Sequence, residues 1–359
     1  MKRALIVTLY GNLNFGNRLQ NYALKRMVES YDFEVTTLDN SRLHVYNTKA
    51  HIKYCIKHLL TCLGIKNYSA SCQRDLNWRS LCKFNQENFG DAIRVSNQQA
   101  FATDWSSYDL AIAGSDQIWH KWTDDINELP YYYLQFMPPE KRFAYAASFG
   151  FEAFPAQDLE QHRVGLQGMK EISCREEFGC KLVEDLTGRT PLRVLDPTLL
   201  LPAEEWRDFA KKSNGIAEKQ GKYAFVFFLG QISEEYREYI TQTMREKGIE
   251  KLINFRDGKI GACGPCEFLS LIDNAQYIFT DSFHCTVFST IFNKDFTAFR
   301  RVQPGHEKMF GRIEDLLSST DKLDHIYGGS QQTATKDFDQ LHRRSIQYLE
   351  TILGITNEN

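Results

Sequence analysis

The chain lacks any long hydrophobic run. Nothing in its 359 residues approaches the about 18 consecutive apolar residues of a membrane-spanning helix, so no transmembrane segment is expected. It lacks a charge excess of either sign. The net charge of -3 leaves no broad basic field to steer a nucleic acid, and none is expected as a partner. It has no short-period internal repeat and no low-complexity tract, and no G-x-G-x-x-G, so no dinucleotide site is claimed. The opening MKRALIVTLYGN has a short apolar run, ALIVTL, but no small-residue cleavage site after it. It reads better as a first strand than as a signal peptide, which points to the cytoplasm. The nine cysteines are an odd, scattered set, expected as free thiols in a reducing compartment.

What is present is a soluble globular composition, with 25% charged residues and 42% in the AVILMFWYC set. Aromatics reach 13%, enough for a substantial core or a surface on which sugars stack. The length suggests about two domains. Short apolar runs alternate with helical patterns, the signature of α/β layers with mostly parallel sheets. ALIVTL, FEVTTLD, YDLAIAG, RFAYAASFG, KEISC and LRVLD read as strands of a first half, and Leu19, Tyr22, Ala23 and Met27 lie at helical spacing after the first of them. A second set begins at KYAFVFFLG and continues through KLINFR, QYIFTD and FTAF, with helices between. The expected division is a Rossmann-like domain over 1–198, a second over 199–335 and a terminal helix within 336–359 that packs back on the first. Residues 44–88 read as a helical insertion of unassigned role. Two Rossmann-type halves facing a central cleft form the expected architecture.

In open α/β sheets ligands bind beyond the carboxyl ends of the strands, so the polar loops there hold the candidate residues. In YGNLNFGNRLQ, Gly11 and Gly16 could admit a close backbone approach, and Asn12, Asn17 and Gln20 are amides suited to sugar hydroxyls. A turn with Asn17 capping a helix explains the same residues. In AGSDQIWH, Asp116 could serve as acid or base beside Ser115 and Gln117, with Trp119 as a stacking ring; a capped turn and a core Trp are the bland alternatives. In YIFTDSFHCTVFSTIF, Ser282 and His284 stand where a strand gives way to a helix, at backbone N–H groups that favour an anion. Lys294, Arg300, Arg301 and Arg175 are candidate cations, though any of them could be a solvated surface charge.

Other patterns carry less. The C-x-x-C of ACGPCEF, Cys263 and Cys266, has thioredoxin-like inner residues but lies deep in a long chain, and Pro265 reads as a helix start. The adjacent acids of Thr123–Asp125 read as a solvated loop rather than a metal–nucleotide site.

Taken in order, GNLNFGNRLQNYAL, YDLAIAGSDQIW, AYAASFG, ISCREEFG, VLDPTLLL and EFLSLIDNAQYIFTDSFHCTVFSTIF resemble the polysaccharide pyruvyl transferases, from about residue 10 to about residue 300. One departure is Cys285, where the family usually has Gly after the SFH triplet; a thiol there is expected to narrow the pocket. The resemblance implies a GT-B-like fold of two Rossmann-type domains. It also implies transfer of pyruvate from phosphoenolpyruvate, as co-substrate, to two hydroxyls of a sugar in cell-surface polysaccharide synthesis, without cofactor or metal. The acceptor would be a sugar, free or lipid-linked, and peripheral association with the inner membrane face stays open. On this reading His284 anchors the donor and carries a proton, Asp116 is the acceptor-side acid or base, and Asp281 is a second candidate. Ser282, Phe283, Arg175, Lys294 and Arg300 would hold the two anionic groups of the donor. The alternatives are a GT-B glycosyltransferase using a nucleotide sugar and a non-catalytic carbohydrate-binding relative.

Overall fold

The computed structural model describes residues 1–10, 13–41, 48–257, 260–302, 310–329 and 337–355. Two all-parallel sheets organise these residues. The first runs β1 (Lys2–Val7), β2 (Phe33–Asp39), β3 (Ile93–Arg94), β4 (Leu110–Ala113), β5 (Arg142–Ala147), β6 (Glu171–Cys174) and β7 (Leu192–Arg193), in spatial order β3-β2-β1-β4-β5-β6-β7. The second holds β8 (Ala224–Phe227), β9 (Leu252–Asn254), β10 (Tyr277–Thr280) and β11 (Phe296–Ala298), in order β11-β10-β8-β9. The central strands are apolar along their length because helices cover both faces. Ala4 through Val7 and Leu110 through Ala113 are all buried.

In each sheet the strand order reverses once. Ala4 pairs with Leu110 where β1 meets β4, and Tyr277 pairs with Ala224 where β10 meets β8. At such a reversal the connections leave in opposite directions and open a crevice at the carboxyl ends of the strands. Here the two crevices face each other across one cavity.

A continuous apolar core joins the sheets. The helix Phe15–Glu29 presents Tyr22 to Phe209 of the helix Ala203–Lys211, ring centroids 4.5 Å apart, and Trp206 of that helix packs on Phe288 at 5.0 Å. The last described helix, Phe338–Leu353, returns to the first sheet: Tyr348 Oη donates to the Ala144 carbonyl at 2.8 Å, and the Leu195 N–H donates to Ser345 Oγ at 2.9 Å. Within 44–88 the structure places two helices, Thr48–Cys62 and Ser69–Asn88; residues 44–47 lie outside the described set. The second helix buries Leu81 and Phe84, whereas the first buries no residue. Among the described residues no helix is long and apolar enough to cross a membrane.

Candidate functional site

The cavity between the sheets has a volume of about 530 Å³. Its wall comes from the segments that follow β1, β4, β8 and β10: Leu9, Asp116, Phe227 to Leu229, and Ser282 to His284. The opening moves of two helices meet there. One is Phe15–Glu29, whose Asn14 cap makes no side-chain capping bond. The other is Phe283–Ile291, capped by Ser282 Oγ accepting from the Cys285 N–H at 3.5 Å. Neither first turn contains an acidic residue, so no side chain of either turn neutralises its positive dipole end.

Gly16 makes this convergence possible. A Cβ at residue 16 would lie 2.1 Å from His284 Nδ1 and 2.4 Å from Cγ. Gly16 therefore makes room for the imidazole rather than for a positive φ, and the ring of one half sits against the first helical turn of the other.

Behind His284 lies a buried polar network. Asp196 Oδ2 is 3.7 Å from His284 Nε2, longer than a hydrogen bond, and Nε2 makes no hydrogen bond among the described residues. The same oxygen accepts from Ser115 Oγ at 2.9 Å and Arg175 Nη1 at 3.0 Å, while Oδ1 accepts from the Thr198 N–H and hydroxyl at 3.1 and 2.7 Å. Burial would raise the Asp196 carboxyl, but His284, Arg175 and Thr198 together hold it well below the usual carboxylate range. Arg175 also contacts Glu176 at 2.9 Å and Asp116 at 3.7 Å. Burial pulls its guanidinium down, and the three carboxylates more than reverse this, so it is held above its ordinary value. It stacks on the Phe283 ring at 4.2 Å.

Asp116 faces the cavity in a left-handed backbone conformation, φ 73°, which costs a non-glycine residue energy and here aims its side chain beside the Gln117 N–H, 2.9 Å from Oδ1. Gln117 also lines the cavity. With its amide oxygen turned toward Arg312, it accepts from both terminal guanidinium nitrogens at 3.2 Å.

Several expected residues fall elsewhere. Arg175 and Ser115 lie behind the wall, where they hold Asp196 rather than a ligand. Asp281 accepts from the Leu229 and Gly230 N–H groups at 2.6 and 2.7 Å and pairs with Arg301 at 3.4 Å; it fixes the loop after β8 and does not border the cavity. Lys294 donates to the Asp273 carbonyl at 2.6 Å, closing the end of the helix Pro265–Asp273, and does not reach the cavity. Arg300 is half exposed, pairs with Glu314 and covers Phe310. Trp119 is fully buried, stacked on Tyr133 at 5.2 Å, so it is a core ring. Gln20 is also buried, donating to Thr8 Oγ1 at 2.8 Å. Gly16, Asn17, Ser282, Phe283 and His284 do line the cavity; Asn12 lies outside the described residues. Cys285 points into the core with no exposed surface and does not narrow the cavity. Burial pushes its thiol up to about 12.

The placement of the C-x-x-C pair disfavours redox exchange. Pro265 opens a helix as the sequence suggests, with the Gly264 N–H donating to Glu267 Oε2 at 2.8 Å. Burial raises both thiols, Cys266 to about 12, which disfavours the thiolate that exchange chemistry needs.

Three residues that line the cavity, Arg312, Arg256 and Trp122, and one buried behind it, Asp196, were not singled out from sequence. Asp196 lies inside VLDPTLLL, but no local feature says that its carboxylate meets His284. Arg256, in the 3-10 turn Phe255–Asp257, and Arg312, in the helix Gly311–Ser319, line the cavity from outside the family-like motifs. Arg312 is buried, and its guanidinium is lowered to about 10 by burial and by repulsion from Arg175. Trp122, 52% exposed, supplies the aromatic surface expected of Trp119.

Solved structures that share the fold include a UDP-GlcNAc 2-epimerase from Methanocaldococcus jannaschii, with TM-score 0.53 and 11% identity, covering 98% of this chain and 100% of that one. Another is S. aureus MnaA in complex with UDP, with TM-score 0.51 and 11% identity, covering 100% of this chain and 99% of that one. At this identity they show the fold alone, which is GT-B-like. No curated protein sequence matches the chain. The polysaccharide pyruvyl transferase profile matches residues 14–301, from the Asn14 cap to Arg301 and thus across both helix starts and Asp196. The chain belongs to the polysaccharide pyruvyl transferase family.

Proposed function

We propose that this family member transfers the pyruvyl group of phosphoenolpyruvate onto two hydroxyls of a sugar, giving a cyclic ketal in polysaccharide synthesis. The observation that carries the reading is the meeting of two helix starts without acidic residues at His284, in a cavity that Arg312, Arg301 and Arg256 also line. Phosphoenolpyruvate is a small dianionic or trianionic molecule with a phosphate and a carboxylate, and such a place offers both backbone N–H groups and guanidinium forks to hold them.

The residues then divide the work. His284, with Asp196 behind it to stabilise the imidazolium, protonates the methylene carbon of the donor. Positive charge develops at the central carbon, and a sugar hydroxyl adds there as Asp116 takes its proton. The carbon–oxygen bond to phosphate breaks, and phosphate departs against the arginines. The second hydroxyl adds to the same carbon, closes the ring and gives its proton to the His284 imidazole, restoring the one spent on the methylene carbon. Trp122 offers the acceptor ring an apolar face. Proton transfer contributes about 10²–10⁴ in rate, and the oriented N–H groups and guanidinium charges lower the barrier further.

The test is incubation of the protein with phosphoenolpyruvate and a panel of sugar acceptors, free and lipid-linked, followed by mass spectrometry. The reading requires an acceptor that gains pyruvate as phosphate is released one for one. Turnover of a UDP-sugar without phosphoenolpyruvate would replace this function with glycosyl transfer.

A further inference from the structure

The helix Thr48–Cys62 is amphipathic in an unusual sense, because its outer face is apolar and wet. Ile52, Ile56, Leu59 and Leu63 recur at spacings of four, three and four along the helix and its end, and so share one face. They are 53%, 54%, 58% and 62% exposed, and Ile65 in the following turn is 68% exposed. The helix buries no residue, and it leans on the helix Ser69–Asn88 through polar contacts, with Lys57 Nζ 2.7 Å from Asp75. An exposed apolar stripe of this length needs a cover.

Charge selects the cover. From Thr48 to Arg74 the chain carries Lys49, Lys53, Lys57, Lys66 and Arg74 and no Asp or Glu. Lys49 and Lys53 flank the apolar stripe on the helix. A second copy of the same face would bring like charges together, whereas an anionic bilayer takes the apolar side chains into its interfacial zone and the lysines onto its headgroups. The position also fits. The hairpin leaves the carboxyl end of β2, beside β1, whose own continuation through Leu9 enters the cavity. Tyr10, just beyond, packs on Phe89 at the base of the hairpin at 5.8 Å.

We infer that the Thr48–Cys62 helix docks the protein on an anionic lipid surface. That this also brings the cavity to lipid-borne acceptors rests on the function proposed above; the docking itself does not. Full-length protein is sedimented with phosphatidylglycerol vesicles and with phosphatidylcholine vesicles, without donor or acceptor, at low and high salt. The expected result is association with the anionic vesicles, weakened by salt and at least about tenfold weaker with phosphatidylcholine. The Ile56→Glu/Leu59→Glu and Lys49→Glu/Lys53→Glu variants each lose at least about tenfold in partitioning. All four side chains are solvent-facing, so circular dichroism and Tm stay at wild-type values. Equal partitioning of wild type and both variants overturns the inference, as does no binding to phosphatidylglycerol. A concentration-dependent dimer abolished by Ile56→Glu/Leu59→Glu also overturns it and assigns the face to a second copy. Because no turnover is read, failure of the pyruvyl-transfer reading would leave this result standing.

Discussion

At the scale of single residues, the proposed chemistry rests on His284 and on Gly16 and Asp196 beside it. His284→Ala removes the proton carrier, and kcat should fall by about 10² or more with phosphoenolpyruvate saturating; near-normal kcat would remove the role. Gly16→Ala is a sharper probe. Alanine is the better helix former by about 1 kcal/mol, yet its Cβ would stand 2.1 Å from His284 Nδ1. Turnover should drop at least about tenfold while the protein stays folded by circular dichroism, and an active variant would show that the ring has freedom to move. Asp196 answers to pH. A carboxyl held below its ordinary value stabilises the fold fully above the unfolded value, about 3.9, and that contribution is lost as pH falls toward the folded value. Asp196→Asn should therefore flatten the acid limb of a Tm-versus-pH curve below about pH 4. It should also lower Tm at pH 7, since Arg175 loses one of three buried carboxylates, a change of about 3–5 kcal/mol for a broken buried pair.

At the scale of elements, the strands were legible because burial on both faces leaves a plain apolar signal. FEVTTLD was read as a strand and is β2 from Phe33 to Asp39. The helix start at Ser282 was legible too, from a polar gap between two apolar runs. What the sequence hid was distance. Lys294 and Arg300 stand near His284 in sequence, but the helix Phe283–Ile291, with His284 in its first turn, carries the chain about 10 Å along its axis before Lys294 is reached. Asp196 and Arg312 are remote in sequence from His284; the one reaches it and the other shares its cavity only through the facing of two sheets, for which no local pattern exists. Trp119 and Trp122 are three apart in one loop, and nothing in their residue type told the core ring from the exposed one. The C-x-x-C element gives a further expectation. With both thiols raised by burial, Cys266→Ser should leave turnover unchanged with or without dithiothreitol, and a loss confined to oxidising conditions would restore a redox role.

At the scale of the whole molecule, two sheets with one strand-order reversal each are arranged so that both reversals open on one cavity, and a common core ties the halves. The central claim is that this cavity is an anion site for phosphoenolpyruvate, with buried Arg312, lowered to about 10, as a contact to its phosphate or carboxylate. A ligand that binds only the folded state raises stability by about 2.7 kcal/mol at a hundred times its Kd, so phosphoenolpyruvate should also raise Tm. The most direct measurement is calorimetric titration of wild type and Arg312→Gln with phosphoenolpyruvate and, separately, with UDP. Phosphoenolpyruvate should bind saturably and one to one, at least about tenfold more weakly to the variant, with no comparable binding of UDP. Tight UDP binding with no heat from phosphoenolpyruvate would contradict the claim.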